Sequence, residues 1–192
     1  MSKKISVLLI VLGLVSMVCA ASLVGYNVYV QKEADTSATS MVDELHNLIP
    51  KEPNKFDNSD EITLKLNGEE YLGIIDIPKL NISLPVTSTW NYDKMYKAAC
   101  RYYGSVEDSD LIIAAHNYSS YFNNLDSLYE NDEIVFTECS GQVHKYKVTS
   151  VQIISGYDSP SLFTDEKEWD IELFTCTWSG YSRIVVRGTE IK

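Results

Sequence analysis

Residues 5–30 contain no charged side chain, and no other feature constrains the chain as strongly. As a helix, 26 residues reach about 39 Å, against about 30 Å of bilayer hydrocarbon. The run is therefore expected to span a membrane. Lys3 and Lys4 precede it on a very short N-terminal side, so the positive-inside rule keeps that end in the cytoplasm and puts residues 31–192 outside. A cleaved signal peptide ending at Ala20 is the competing reading. Apolar sequence continues through Ala21, Leu23, Val24 and Val28, past the point where such a peptide ends, and this favours an uncleaved single-pass anchor over residues 1–30.

Charge then narrows the partners. Two of the 16 Lys and Arg residues precede the apolar run, which leaves 14 against 27 Asp and Glu in the remainder. An acidic exterior of this kind argues against nucleic acid, whose phosphates need a basic face. No repeat of solenoid or propeller length is visible.

Residues 31–60 read as an extracellular connection with one helix in it. Residues 31–40 (QKEADTSATS) are polar and small, as in a short stalk. Met41, Val42, Leu45, Leu48 and Ile49 recur at helical spacing, with Ser40 placed to cap and Pro50 to stop the run. From residue 61 to 192 the pattern changes to short apolar runs separated by turn residues. Eight can be counted, at 71–77, 82–86, 100–104, 111–115, 133–137, 143–154, 171–176 and 183–187. The expectation is a mainly β domain, a closed or nearly closed barrel with short helices. One helical insert is expected around Phe122, Leu125 and Tyr129, and a long acidic loop at 156–170.

Three cysteines, Cys100, Cys139 and Cys176, follow the apolar run, and an odd number leaves at least one thiol unpaired in a monomer. Cys176 closes the apolar run IELFTC, just before the loop TWSG, where a strand can hold a side chain and a loop can expose it. Taken alone, it is as well read as an inert core cysteine. Arg183 begins the next run, so a hairpin would bring thiol and guanidinium to one rim, where the cation can favour a thiolate or hold an oxyanion. His116 ends the run LIIAA in the same manner; on local sequence it reads equally as a hydrogen-bonded structural histidine. Paired Cys/His spacings of the kind that bind metal do not occur.

Taken together these segments resemble the sortases, membrane-anchored cysteine transpeptidases of Gram-positive bacteria. YLGIIDIP followed by LPV looks like the family's opening strand pair, LIIAAHN like its histidine motif, LFTC like its TLxTC box and SRIVVRG like its arginine strand, all collinear over about residues 62–191. The box departs from the pattern at Glu172, where the family usually has Thr. The resemblance implies an eight-stranded sortase-type β-barrel behind an N-terminal transmembrane helix, of class B-like or class D-like type. It implies that Cys176 is the nucleophile, that Arg183 and His116 complete the catalytic set, and that Thr175 is a substrate-positioning neighbour. Expected partners are secreted proteins bearing a sorting signal and an amine of a peptidoglycan precursor or a pilin. No metal or organic cofactor is required. A membrane-tethered binding module without activity and a cell-wall cysteine hydrolase are the alternative readings.

Overall fold

The computed structural model describes residues 3–53, 61–157 and 168–191. It divides into two units, Met1–Ala34 and Asp35–Lys192, the division falling within helix α1 (Lys3–Leu48). In the first unit the large apolar side chains from Ile5 to Tyr29 are exposed. No protein covers them, which suits a helix whose solvent is hydrocarbon. Among the described residues it is the one helix long and apolar enough to cross a membrane.

Residues 31–40, expected as a stalk, continue the helix. They hold no Gly or Pro, and Gln31, Lys32, Glu33, Ala34 and Ala38 are good helix formers. Ser40, placed by its sequence as a cap, lies inside α1. In the second unit Val42, Leu45 and Ile49 pack on Tyr71, Ile74, Ala98 and Cys139, at the four- and three-residue steps of one helix face. Leu45 is fully buried, a contribution of about 2 kcal/mol. The Ile49 amide still bonds the Leu45 carbonyl at 2.8 Å; Pro50, with no N–H to donate, ends the run.

Nine strands follow among the described residues: β1 (Leu64–Leu66), β2 (Glu69–Ile77), β3 (Ile82–Thr87), β4 (Ala99–Tyr103), β5 (Leu111–Ala114), β6 (Glu133–Glu138), β7 (Val143–Ser155), β8 (Ile171–Cys176) and β9 (Ser182–Glu190). All eight expected runs form strands, and the added β1 pairs only with the start of β2. The order β2-β3-β4-β5-β8-β9-β7-β6 closes through a second pairing of β2 with β6, giving an eight-stranded barrel. Gly73 sits at that closure, where a Cβ would overlap the Thr137 carbonyl; only glycine lets the two backbones approach so closely.

The helical insert expected around Phe122 is not formed. Between β5 and β6 the chain makes turns and a single 3-10 turn at Leu125–Ser127. Tyr121, Phe122, Leu125 and Leu128 are buried, so the apolar pattern was a core pattern. The Ser127 hydroxyl donates to the Asn124 carbonyl at 2.8 Å, the kind of local bond that competes with helix propagation. Of the acidic loop expected at 156–170, residues 158–167 lie outside the described residues.

Candidate active site

Two pairings decide where the chemistry-bearing side chains meet. β5 and β8 run parallel, with Ala114 opposite Phe174. His116 and Cys176 each stand two residues beyond that pair, so the strands deliver them to the same end of the barrel. β8 and β9 form an antiparallel hairpin in which Cys176 and Arg183 are direct partners. The three residues separated by 60 and 7 positions in sequence therefore share one rim.

The β8–β9 hairpin is built by its own loop. The Thr177 amide donates to the Ser182 carbonyl at 3.0 Å, the Gly180 amide to the Thr177 carbonyl at 2.9 Å, and Gly180 takes a left-handed φ of 75°, which glycine adopts without strain. The Arg183 guanidinium donates through Nη1 to the Gly180 and Ser182 carbonyls at 3.0 and 3.1 Å. Gly156, at the end of β7, leaves that guanidinium its space: a Cβ there would stand 3.0 Å from Nη1. Cys176 is partly exposed.

Thr175, by contrast, is buried, and its hydroxyl donates to the Ala115 carbonyl at 2.8 Å. With the Ala115 amide bonded to the Phe174 carbonyl at 3.3 Å, it extends the β5–β8 pairing up to the residues that matter. Its hydroxyl thus joins the histidine strand to the cysteine strand.

His116 is half-buried beside the rings of Tyr92, Tyr96 and Tyr118. Burial depresses its proton affinity, because desolvation disfavours the charged ring. Its Nε2 is buried and, among the described residues, has no hydrogen-bond partner. The tyrosine neighbours escape sequence reasoning except for Tyr118, two residues past the histidine; Tyr92 and Tyr96 arrive from the β3–β4 connection.

The other two thiols of the barrel are buried. All four cysteines are free. Cys100 is buried, and burial raises its pKa. Cys139 donates to the Tyr71 carbonyl at 3.2 Å, with its pKa pushed up to about 11 by burial. Four residues below Cys176 on β8, Glu172 is fully buried and accepts from Arg187 Nε at 2.7 Å across the same hairpin. Desolvation drives the Glu172 carboxyl up to about 7 against the pull of the guanidinium. This pair occupies the position where the sequence departs from the family box. Among the described residues no cluster of His, Cys, Asp and Glu is arranged to hold a metal ion.

Among curated protein sequences none matches this chain. Solved structures do. A Clostridium perfringens sortase D5 transpeptidase is 20% identical with a TM-score of 0.60, covering 82% of this chain and 99% of its own. Streptococcus pneumoniae sortase C is 20% identical at a TM-score of 0.56, covering 85% and 89%. Corynebacterium diphtheriae sortase A is 20% identical at 0.56, covering 84% of each chain. The likeness extends across sortases named A, C and D alike, and at this identity it is a likeness of fold. The family model for the sortase domain matches residues 75–191, the stretch that carries the histidine, cysteine and arginine strands, and the chain belongs to the sortase family.

Proposed function

We propose that this chain is a membrane-anchored cysteine transpeptidase that cleaves a C-terminal sorting signal of secreted proteins after threonine and passes the acyl group to an amine. The Cys176 sulfur, its thiol proton passed to His116, attacks the threonine carbonyl carbon, forming a C–S bond and a tetrahedral oxyanion. Collapse breaks the C–N bond of the scissile amide and leaves a thioester, which splits one difficult transamidation into two easier steps. The departing amine takes its proton from His116. In the second half the incoming amine attacks the thioester carbonyl, His116 accepts its proton and the sulfur leaves. Arg183 holds the carbonyl oxygen as it becomes an oxyanion, and Thr175 holds the two strand ends in register. The acceptor amine belongs to a peptidoglycan precursor or a pilin. The single span over residues 5–30 tethers the domain to the outer face of the cell membrane.

The observation that carries this reading is the strand register: the parallel β5–β8 pair and the antiparallel β8–β9 pair bring His116, Cys176 and Arg183 to one rim. The test uses the full chain in detergent with fluorogenic peptides of LPxTG and NPxTN type. Wild type should cleave one of them and show a thioacyl adduct by mass spectrometry, and an added amine should divert the product from acid to amide. Cys176→Ala should abolish both signals, whereas Cys100→Ala and Cys139→Ala should keep most of the turnover. Hydrolysis unaffected by any amine would favour a cell-wall hydrolase. Equal loss in all three folded variants would contradict the nucleophile.

A further inference from the structure

The candidate proton carrier sits in an aromatic enclosure. Tyr92 and Tyr96 come from the β3–β4 connection, around the 3-10 turn Lys94–Tyr96, and Tyr118 comes from the loop that follows His116. Their ring centroids lie 5.3, 4.8 and 5.0 Å from the imidazole, at interplanar angles of 88°, 50° and 32°. The rings also brace one another, Tyr92 against Tyr96 at 5.8 Å and Tyr96 against Tyr118 at 6.4 Å.

Proton transfer requires that this imidazole exist in both forms. The groups packed against it are the three phenols; the Cys176 thiol ends the neighbouring strand and the Arg183 guanidinium stands opposite it on β9. Among the described residues His116 makes no ion pair with a carboxylate, and its Nε2 lacks a partner. Burial opposes the charged form. The Tyr96 phenol is itself pushed upward, by burial first and then by Tyr92, so it stays a neutral ring at working pH rather than a phenolate counter-ion. Aromatic π faces, which hold cations within about 6 Å of their centroids, can supply attraction to the imidazolium.

We propose that Tyr92, Tyr96 and Tyr118 are positioning residues for His116, fixing the plane of the imidazole and stabilising its protonated form through their π faces where other sites use a carboxylate. This rests on His116 as the proton carrier of the reaction above. The hydroxyl groups are dispensable on this account. A phenyl ring should serve, and a branched aliphatic of similar burial should not.

The full chain, labelled with 13C at histidine Cε1 and held in detergent micelles, allows the three histidines to be titrated by NMR, with His116 assigned by His116→Gln. Tyr96→Leu and Tyr118→Leu should each move the His116 midpoint down by about half a pH unit, and Tyr96→Phe and Tyr118→Phe should leave it in place. In turnover the leucine variants should lose about tenfold in kcat with little change in KM, and the alkaline limb of their pH profile should move to lower pH. Tyr92, 58% exposed, provides a leucine variant that cannot threaten the core should either of the others unfold. Leucine titrations that superimpose on wild type, or phenylalanine variants that shift as far as leucine ones, would overturn the proposal. The titration needs no substrate, so it is separable from the reaction itself: if the proposed chemistry is wrong, Cys176→Ala keeps its turnover while the leucine shifts persist.

Discussion

Arg183 is where charge and geometry can be told apart. Its Nη1 already donates to two carbonyls of the hairpin loop, so the guanidinium is held at the rim by backbone and by the gap that Gly156 leaves. A planar fork so held can bind a carbonyl oxygen and then an oxyanion, and a lysine point charge on a flexible stem cannot reproduce both. Loss of a preorganised oxyanion donor costs on the order of 10²-fold in kcat, so Arg183→Lys should be slowed by at least that much while its thiol still alkylates near the wild-type rate. Near-normal transpeptidation by this variant would reduce Arg183 to an electrostatic neighbour. The thiols themselves should differ sharply. Cys100 and Cys139 are buried with raised pKa values, so both stay protonated and covered at neutral pH. Iodoacetamide added to the native protein and mapped by mass spectrometry should modify Cys176 tens of times faster than either. Comparable labelling of Cys139 in folded protein would contradict its burial.

Between elements, the barrel wall is held by charged groups as well as by backbone. His144 on β7 lies 3.2 Å from Glu138 on β6 and 2.7 Å from Glu190 on β9, so one imidazole joins three adjacent strands. Glu138 first, then Glu190, raises the His144 pKa against desolvation, and His144 in turn holds the Glu138 carboxyl below its usual range. A histidine whose folded pKa lies above its unfolded value of about 6.5 binds more protons in the native state. Its stabilisation is fully present below that value and is lost as pH rises through the folded pKa. His144→Gln should therefore lower Tm by several degrees near pH 5.5, a loss on the order of 1 to 2 kcal/mol, and by little at pH 8.5. A deficit that grows with pH would reverse the assignment. The strand runs that carry these groups were legible from alternation and turn residues alone. The insert after His116 was not, because Phe122, Leu125 and Leu128 bury at a spacing compatible with a helix, while Asn123, Asn124 and Ser127 bond locally and divert the backbone into turns.

On the scale of the whole chain, the proposed membrane anchor sets where the proposed reaction occurs. With Lys3 and Lys4 retained inside, protease added to wall-stripped cells expressing the chain should digest residues beyond the span, and N-terminal sequencing should find Met1 or Ser2. A mature chain starting near Ala21 would show that the apolar run was a signal peptide. The apolar run, the acidic exterior and the eight strands follow from hydrophobicity and turn chemistry, which act over a few neighbouring residues and so are written in local sequence. The helical path of residues 31–40 is local too: they hold no Gly or Pro and include good helix formers, so α1 runs on through them. What local sequence could not contain is partnership. The parallel β5–β8 register that brings His116 level with Cys176 joins segments about 60 residues apart. The closure of β2 on β6 depends on a glycine only because another strand's carbonyl comes to it. Two of the three tyrosines around His116, Tyr92 and Tyr96, come from a connection that precedes it by two strands. Long-range contacts of this kind form only when the barrel closes, so the candidate residues could be named from sequence, and their neighbours and burial were settled by the tertiary structure.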